Sequence, residues 1–327
     1  MTAPIAILGA GAWGTALAVK LSPRFGISLW ARDPAQAEAL RATRRNARYL
    51  PGFVLPHAIH VTSQLDAAVR AARCVIVATP AAGLNATIAV LPDQRVPLLW
   101  LCKGFVFEGD HARLPHQSVA ARRRGGWGLL SGPSFAQEVA ADAPTALTLA
   151  GSDIAFAEEW AGTLRDESLR LYASDDVTGV EVGGAVKNVL AIATGICDGL
   201  ALGDNARAAL ITRGLAEMSR LAEVLGGRRE TLMGLSGLGD LVLTCTGGLS
   251  RNRQAGLLLA AGKSLPQIQQ ELGHVAEGVF AARAVRQLAA REHVEIPISE
   301  AVCRVLHESL SPREAVVALL QRGPTRE

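Results

Sequence analysis

The run Gly9-Ala10-Gly11-Ala12-Trp13-Gly14 lies directly behind the apolar stretch Ile5-Ala6-Ile7-Leu8 and directly ahead of a helical stretch reaching Leu21. Alone, three glycines at this spacing say little. Between a strand and a helix, each has its own use. Gly9 permits the tight turn, Gly11 lets a pyrophosphate approach the backbone, and Gly14 lets the helix pack close to the strand. The helix N-terminus then offers unpaired N–H groups and partial positive charge to phosphates. The pattern therefore predicts a strand–turn–helix unit that binds a dinucleotide.

The next 140 or so residues agree with that start. Ile27-Ser28-Leu29-Trp30, Cys74-Val75-Ile76-Val77-Ala78 and Leu98-Leu99-Trp100-Leu101-Cys102 read as further strands, as do Trp127-Gly128-Leu129-Leu130 and Ala146-Leu147-Thr148-Leu149-Ala150. A helix fits Pro34 to Arg44. Continuous apolar strands with helical crossovers indicate a mostly parallel sheet covered on both faces. From about Thr178 the strand signals fade. Val180–Gly199, Asn205–Leu225, Ser250–Ala261, Val279–Glu292 and Ile298–Leu306 all read as helices. The 327 residues suit two domains: an α/β dinucleotide-binding domain over 1–178 and an all-helical domain over 179–327. For such a pair, a site between the two is the default expectation.

Composition excludes several function classes. A net charge of +3, without a basic face interleaved with aromatics, argues against nucleic acid as a partner. The basic runs Arg41-Ala42-Thr43-Arg44-Arg45 and Arg122-Arg123-Arg124 read as solvated surface. Cys74, Cys102, Cys197, Cys245 and Cys303 are odd in number, scattered and without a C-x-x-C, which argues against a disulfide framework or a structural metal and fits a reducing, cytoplasmic compartment. The N-terminus lacks a signal-peptide pattern. The longest apolar run, Val186 to Leu202, is interrupted by Lys187, Asn188 and Asp198, so no membrane span is expected.

Several polar residues stand out. The second strand ends on Arg32, where an NAD-specific site usually carries an acid for the ribose 2′-hydroxyl; a guanidinium there suits a 2′-phosphate, which points to NADPH or to dual use of NADP and NAD. Asp33-Pro34 reads as an N-cap with proline at N1. Lys103 follows the strand 98–102, at the end that lines a ligand crevice, though a lysine there also suits a surface loop. Lys187 lies in a helix apolar almost all round; a buried ammonium is costly unless paired, and desolvation moves it toward the range useful for acid–base work. Helical spacing sets Lys187, Ala191, Thr194 and Asp198 on one stripe, with Asn188 beside it. Ser131-Gly132-Pro133-Ser134-Phe135-Ala136 offers hydroxyls and N–H groups after a strand. In the segment Asp240 to Arg253, Ser250 is positioned to cap a helix and Arg251 to clamp a phosphate; an ordinary capped helix fits the same residues.

Taken in order, Gly9 to Ala16, Asn46-Ala47-Arg48-Tyr49-Leu50-Pro51, Lys103-Gly104, Ser131 to Ala136, Gly183-Gly184-Ala185-Val186-Lys187-Asn188, Gly237-Leu238-Gly239-Asp240-Leu241, Ser250-Arg251-Asn252 and Val275-Ala276-Glu277-Gly278 resemble bacterial-type NAD(P)-dependent glycerol-3-phosphate dehydrogenases over nearly the whole chain. The resemblance implies a Rossmann-type domain followed by an all-helical one. It also implies interconversion of dihydroxyacetone phosphate and sn-glycerol 3-phosphate, in the supply of glycerol 3-phosphate for phospholipid synthesis. In such enzymes Ala12, Trp13, Arg32, Ala136, Val275 and Glu277 would lie at the cofactor. Lys187 would be the proton acceptor. Lys103, Gly132, Ser134, Asp240, Ser250, Arg251 and Asn252 would hold glycerol 3-phosphate, with Lys103 and Arg251 touching both ligands. Ala12 stands where relatives often have Ser, which removes a hydroxyl contact to pyrophosphate, and Gln137 replaces a frequent Lys.

These residues predict a mechanism in which Lys187 exchanges a proton with the reacting oxygen, Lys103 adds positive charge, and Asp240 orients Lys187 or a substrate hydroxyl. A β-hydroxyacid dehydrogenase and a non-catalytic NADPH sensor are the alternatives; the first would prefer a carboxylate substrate, and the second has no use for a buried lysine. The apolar helical half is expected to bury a homodimer face.

Overall fold

The computed structural model of the chain describes residues 3–91, 95–273 and 276–322. Two compact units emerge: Met1–Val106 with Pro115–Val177, and Phe107–Leu114 with Thr178–Glu327.

The first unit is built on an eight-stranded sheet. Its strands are β1 (Ile5–Leu8), β2 (Ile27–Trp30), β3 (Ile59–Thr62), β4 (Cys74–Val77), β5 (Leu98–Trp100), β6 (Trp127–Ser131), β7 (Thr145–Gly151) and β8 (Leu169–Ser174). Their spatial order is β8-β7-β6-β5-β4-β1-β2-β3. Every pairing is parallel except β6 with β7, which run antiparallel with Leu130 opposite Leu149. The parallel centre explains the unbroken apolar runs: β1 and β4 are buried at every residue, because both faces are covered. The two edge strands lack that signature. In β3, His60 is exposed, and in β8, Arg170 and Tyr172 are, so each alternates as a strand with one wet face does. Neither carries the unbroken apolar run of the central strands.

Helix α1 (Ala12–Leu21) leaves β1 through the glycine turn. Gly9 adopts φ +121°, and a Cβ on Gly14 would lie 1.9 Å from the Gly9 carbonyl oxygen, so both positions exclude larger residues. Leu17, Ala18 and Leu21 of α1 join Ala37 and Leu40 of α2 (Pro34–Thr43) and Ala157, Trp160 and Leu164 of α3 (Ile154–Leu164) in one core against the sheet. The last turn of α1 is held by Lys20, whose ammonium meets Asp142, Ser168 and Asp166, the last at 2.9 Å. Burial works to lower the Lys20 ammonium, but its bonds to the two carboxylates reverse the sign and leave it raised.

The second unit is helical. Its central helix α4 (Val177–Gly199) starts three residues before the stretch read from the sequence. It is long and apolar enough to cross a membrane, yet its apolar stretch is buried within the fold, which is how the core helix of a helical domain behaves. Around it lie α5 (Asp204–Val224), α6 (Asp240–Thr246), α7 (Arg251–Ala260), α8 (Leu265–Leu272), α9 (Glu277–Arg291), α10 (Pro297–His307) and α11 (Pro312–Leu320). The helices α6, α8 and α11 lie outside the helical stretches expected from the sequence. The segment 107–114 lies in the chain of the first domain as read from sequence. It packs with the second because Gln287 of α9 accepts from Ala112 N–H and donates to the Asp110 carbonyl at 2.6 Å.

Glu217 of α5 is buried and supplies what the start of α10 lacks. Ile296, at the cap position, has no side chain able to accept, and the Glu217 carboxyl takes the N–H of Ile298 at 2.6 Å and both the N–H and hydroxyl of Ser299 at 3.1 Å. Burial nevertheless outweighs these bonds and pushes the carboxyl from 4.5 up to about 7. A folded-state value above the unfolded one means that this group favours folding most below pH 4.5 and that its contribution disappears as pH rises through about 7. Relative to Glu217→Gln, the parent protein is expected to lose roughly 3 kcal/mol of stability between pH 4 and 8. Urea unfolding of both across that range checks this, and parallel profiles would disprove it.

Candidate active site

In the first unit, the glycine turn ends on Gly11, the N-cap of α1, which provides no capping side chain. The first N–H groups of α1 therefore lack a side-chain acceptor, and a Cβ on Gly11 would meet nothing within 4 Å. An open backbone at a helix N-terminus is a fitting cradle for the phosphates of a dinucleotide. Trp13 and Ala136 are brought together, packed against a small cluster of Ala16, Leu50 and Val139. Arg32 is exposed where β2 ends, and the adjacent Asp33 caps α2 by accepting Ala35 N–H at 2.9 Å, as the sequence implied. Gln137 is exposed, so its departure from the family pattern touches no core.

Lys103, Gly132 and Ser134 form a second group in this unit. The Lys103 ammonium donates to the Gly132 carbonyl at 2.8 Å, and the Ser134 hydroxyl donates to the same oxygen at 2.9 Å. Lys103 is half-buried. Lys103 lies in the loop after β5, bound to the turn after β6.

In the second unit, the stripe on α4 is polar wherever a neighbour can answer it. Lys187 is 7% exposed, and its ammonium lies 2.5 Å from Asp240 Oδ1 and 2.9 Å from the Thr244 hydroxyl, both on α6. Asp240 is 1% exposed. The Thr194 hydroxyl bonds to the Ala191 carbonyl and Asp198 to Arg253 and Arg207, so these two members of the stripe serve helix packing and do not join Lys187. Asn188 accepts from Asn252 at 2.9 Å, and Asn252 in turn accepts the N–H of Gly278 at 3.0 Å, which places Glu277 next to this chain of bonds. Ser250 caps α7 through Arg253 N–H at 3.3 Å, and Arg251 is exposed at the first position of that helix. The segment is thus a capped helix with an exposed guanidinium at its first position. Val275 lies outside the described residues.

Backbone packing sets the Lys187–Asp240 approach. One helical turn before Lys187, a Cβ on Gly183 would stand 2.4 Å from the Ser236 carbonyl oxygen. Ser236 belongs to a π-helical turn, Leu235–Gly239, that runs straight into Asp240. The segment bearing the carboxylate thus rests directly on α4. Thr244 is a site residue that the sequence did not mark, since a threonine in an apolar run carries no charge signal. Cys245 is next to it, but burial pushes its thiol up to about 12, which leaves it protonated and unreactive at neutral pH.

A family profile described as the N-terminus of NAD-dependent glycerol-3-phosphate dehydrogenase matches residues 4–157, and the corresponding C-terminus profile matches 176–317. The chain belongs to the NAD-dependent glycerol-3-phosphate dehydrogenase family. A relative from Dechloromonas aromatica, called glycerol-3-phosphate dehydrogenase [NAD(P)+], is 56% identical and is covered over 99% of both chains. Another with the same name, from Thiobacillus denitrificans, is also 56% identical, over 97% of this chain and 98% of its own. Among solved structures, the glycerol-3-phosphate dehydrogenase of Coxiella burnetii superposes with a TM-score of 0.93 at 43% identity, covering 98% of this chain and 99% of that one. Membership in this family displaces the hydroxyacid-dehydrogenase and sensor alternatives.

Removing one partner from the buried pair strands the other. Asp240→Ala is expected to destabilise this family member by about 3–5 kcal/mol, and Lys187→Met combined with Asp240→Leu to recover most of that loss. Denaturant titrations of the single and double variants measure it; an Asp240→Ala protein as stable as its parent would contradict the pairing.

Proposed function

We infer that the chain is an oxidoreductase interconverting dihydroxyacetone phosphate and sn-glycerol 3-phosphate, with NAD or NADP as cofactor. The observation that carries this is a buried ammonium, Lys187, held by Asp240 in a chain that matches glycerol-3-phosphate dehydrogenases along its length. When bound, the reduced cofactor supplies a hydride to the ketone carbon. Lys187 gives a proton to the oxygen of that carbon and takes it back in the reverse direction. Asp240 and Thr244 fix the direction of the Lys187 side chain, and the Asp240 carboxylate compensates the cost of its burial. Lys103 adds positive charge as the alkoxide develops and, with Gly132 and Ser134, holds the substrate. Arg251 grips the phosphate with the N-terminus of α7 behind it, flanked by Ser250 and Asn252. Binding energy gathered at the phosphate, away from the reacting carbon, positions that carbon.

The cofactor is assigned to Gly9, Gly11, Ala12, Trp13 and Gly14, with Arg32 at the adenosine ribose and Ala136, Val275 and Glu277 further along; Lys103 and Arg251 touch both ligands. The guanidinium of Arg32 favours NADPH over NADH. The setting is the cytoplasm, where the product feeds phospholipid synthesis. The assembly we assign is a homodimer. Apolar side chains left exposed on the second unit, Leu202, Val242, Leu249 and Phe280 among them, support it, and light scattering on the purified protein tests it against a monomer.

Oxidation of each reduced cofactor, followed by its absorbance with dihydroxyacetone phosphate as substrate, tests the whole reading. Lys187→Ala is expected to cut turnover by about 10²–10⁴-fold with cofactor affinity unchanged, and near-normal turnover would refute the assignment. Arg32→Ala should lower the NADPH-over-NADH preference by about tenfold in kcat/KM; an unchanged ratio removes Arg32 from the 2′-phosphate site.

A further inference from the structure

The motif beginning at Asn46 has no part in the chemistry above, yet its first residue reaches into the glycine turn. Asn46 is 3% exposed. Its amide nitrogen donates to the Ala10 carbonyl at 3.0 Å and to the Thr15 hydroxyl at 2.8 Å, and its oxygen accepts Tyr49 N–H at 3.3 Å. A second side chain, Gln36 of α2, donates to the same Ala10 carbonyl at 2.8 Å. One carbonyl in the middle of Gly9-Ala10-Gly11 is therefore held by two amides from two separate segments.

That carbonyl matters because of what lies across its peptide bond. The Ala10–Gly11 peptide is trans, as is every described peptide, so the Gly11 N–H points opposite to the Ala10 oxygen. Fixing the oxygen toward Asn46 and Gln36 fixes the Gly11 N–H toward the opposite side. Gly11, with no Cβ on its side of this peptide, lowers the peptide's own resistance to rotation. A peptide turned the other way would aim a carbonyl oxygen, in place of an N–H, at the dinucleotide phosphates. The Asn46–Thr15 bond also ties the same asparagine to the first turn of α1.

We propose that Asn46, assisted by Gln36, is a positioning residue for the cofactor: it locks the Ala10–Gly11 peptide so that the turn presents N–H groups to the pyrophosphate. This rests on placing the dinucleotide at the glycine turn. Asn46→Ala leaves Gln36 as the one side chain on the carbonyl, Asn46→Asp replaces the donor with a charged acceptor, and Gln36→Ala removes the half-buried partner with least disturbance to the fold.

The experiment measures NADPH binding by fluorescence and, separately, steady-state kinetics with dihydroxyacetone phosphate at saturating NADPH, with thermal melts to confirm folding. Asn46→Ala is expected to raise the NADPH Kd about tenfold, Asn46→Asp more, and Gln36→Ala about threefold. For Asn46→Ala and Gln36→Ala, kcat and the KM for dihydroxyacetone phosphate should stay within about twofold. A purely structural role would lower the melting temperature without this split. Folded Asn46→Ala protein that binds NADPH as the parent does overturns the proposal; if Asn46 variants do not fold, an unchanged Kd in Gln36→Ala overturns it instead. If the parent binds NADPH and Gly11→Val binds it equally well, the placement at the glycine turn fails, and the proposal falls with it.

Discussion

The second unit is arranged around the burial of one ammonium. A charged nitrogen in the middle of an apolar helix is unfavourable unless a carboxylate and further acceptors meet it at hydrogen-bonding distance. Here that demand is met by α6, whose Asp240 and Thr244 both face Lys187. The demand propagates. For α6 to come so close, the π-helical turn before it must lie on the bare backbone of Gly183. The neighbouring Asn188 is satisfied by Asn252, and Asn252 by the first turn of α9. Further along α4, Asp198 binds Arg253 through two nitrogens and so fixes α7. Lys187, Asn188 and Asp198 thus each tie the central helix to a surrounding one, a degree of definition that apolar packing alone supplies less sharply.

The first unit follows a different logic. Here side chains act by setting backbone directions. Gly9 and Gly14 shape the turn by their lack of a Cβ, Asn46 and Gln36 hold the carbonyl between the glycines, and Lys20 anchors the far end of α1. Lys103 is drawn to a backbone carbonyl in the turn after β6.

Much of this was legible in the sequence because the physics was local. The glycine turn, the buried parallel strands, the cap at Asp33 and the long helices each leave a periodic or positional mark within a few residues. Lys187 was legible because a charge inside an apolar helix conflicts with its surroundings. What escaped notice depended on partners distant in the chain. The edge strands β3 and β8 lack the unbroken apolar run of the buried strands because water covers one side of each. Thr244 and Gln36 are unremarkable residues that become specific through neighbours 57 and 26 positions away. The cap that Glu217 gives to α10 joins residues 81 and 82 positions apart and leaves no trace in the local pattern.

The segment 107–114 holds most of a two-stranded hairpin, Val106–Glu108 with His111–Arg113, and it decides how the chain can be divided. It is threaded through the first unit's sequence but bonded to Gln287, so the polypeptide passes between the two units three times, not once. A fragment ending near residue 177 would carry the hairpin without its partner helix, and a fragment starting there would lack it. On the ribosome the hairpin must wait for roughly 175 further residues before the glutamine that secures it has been made.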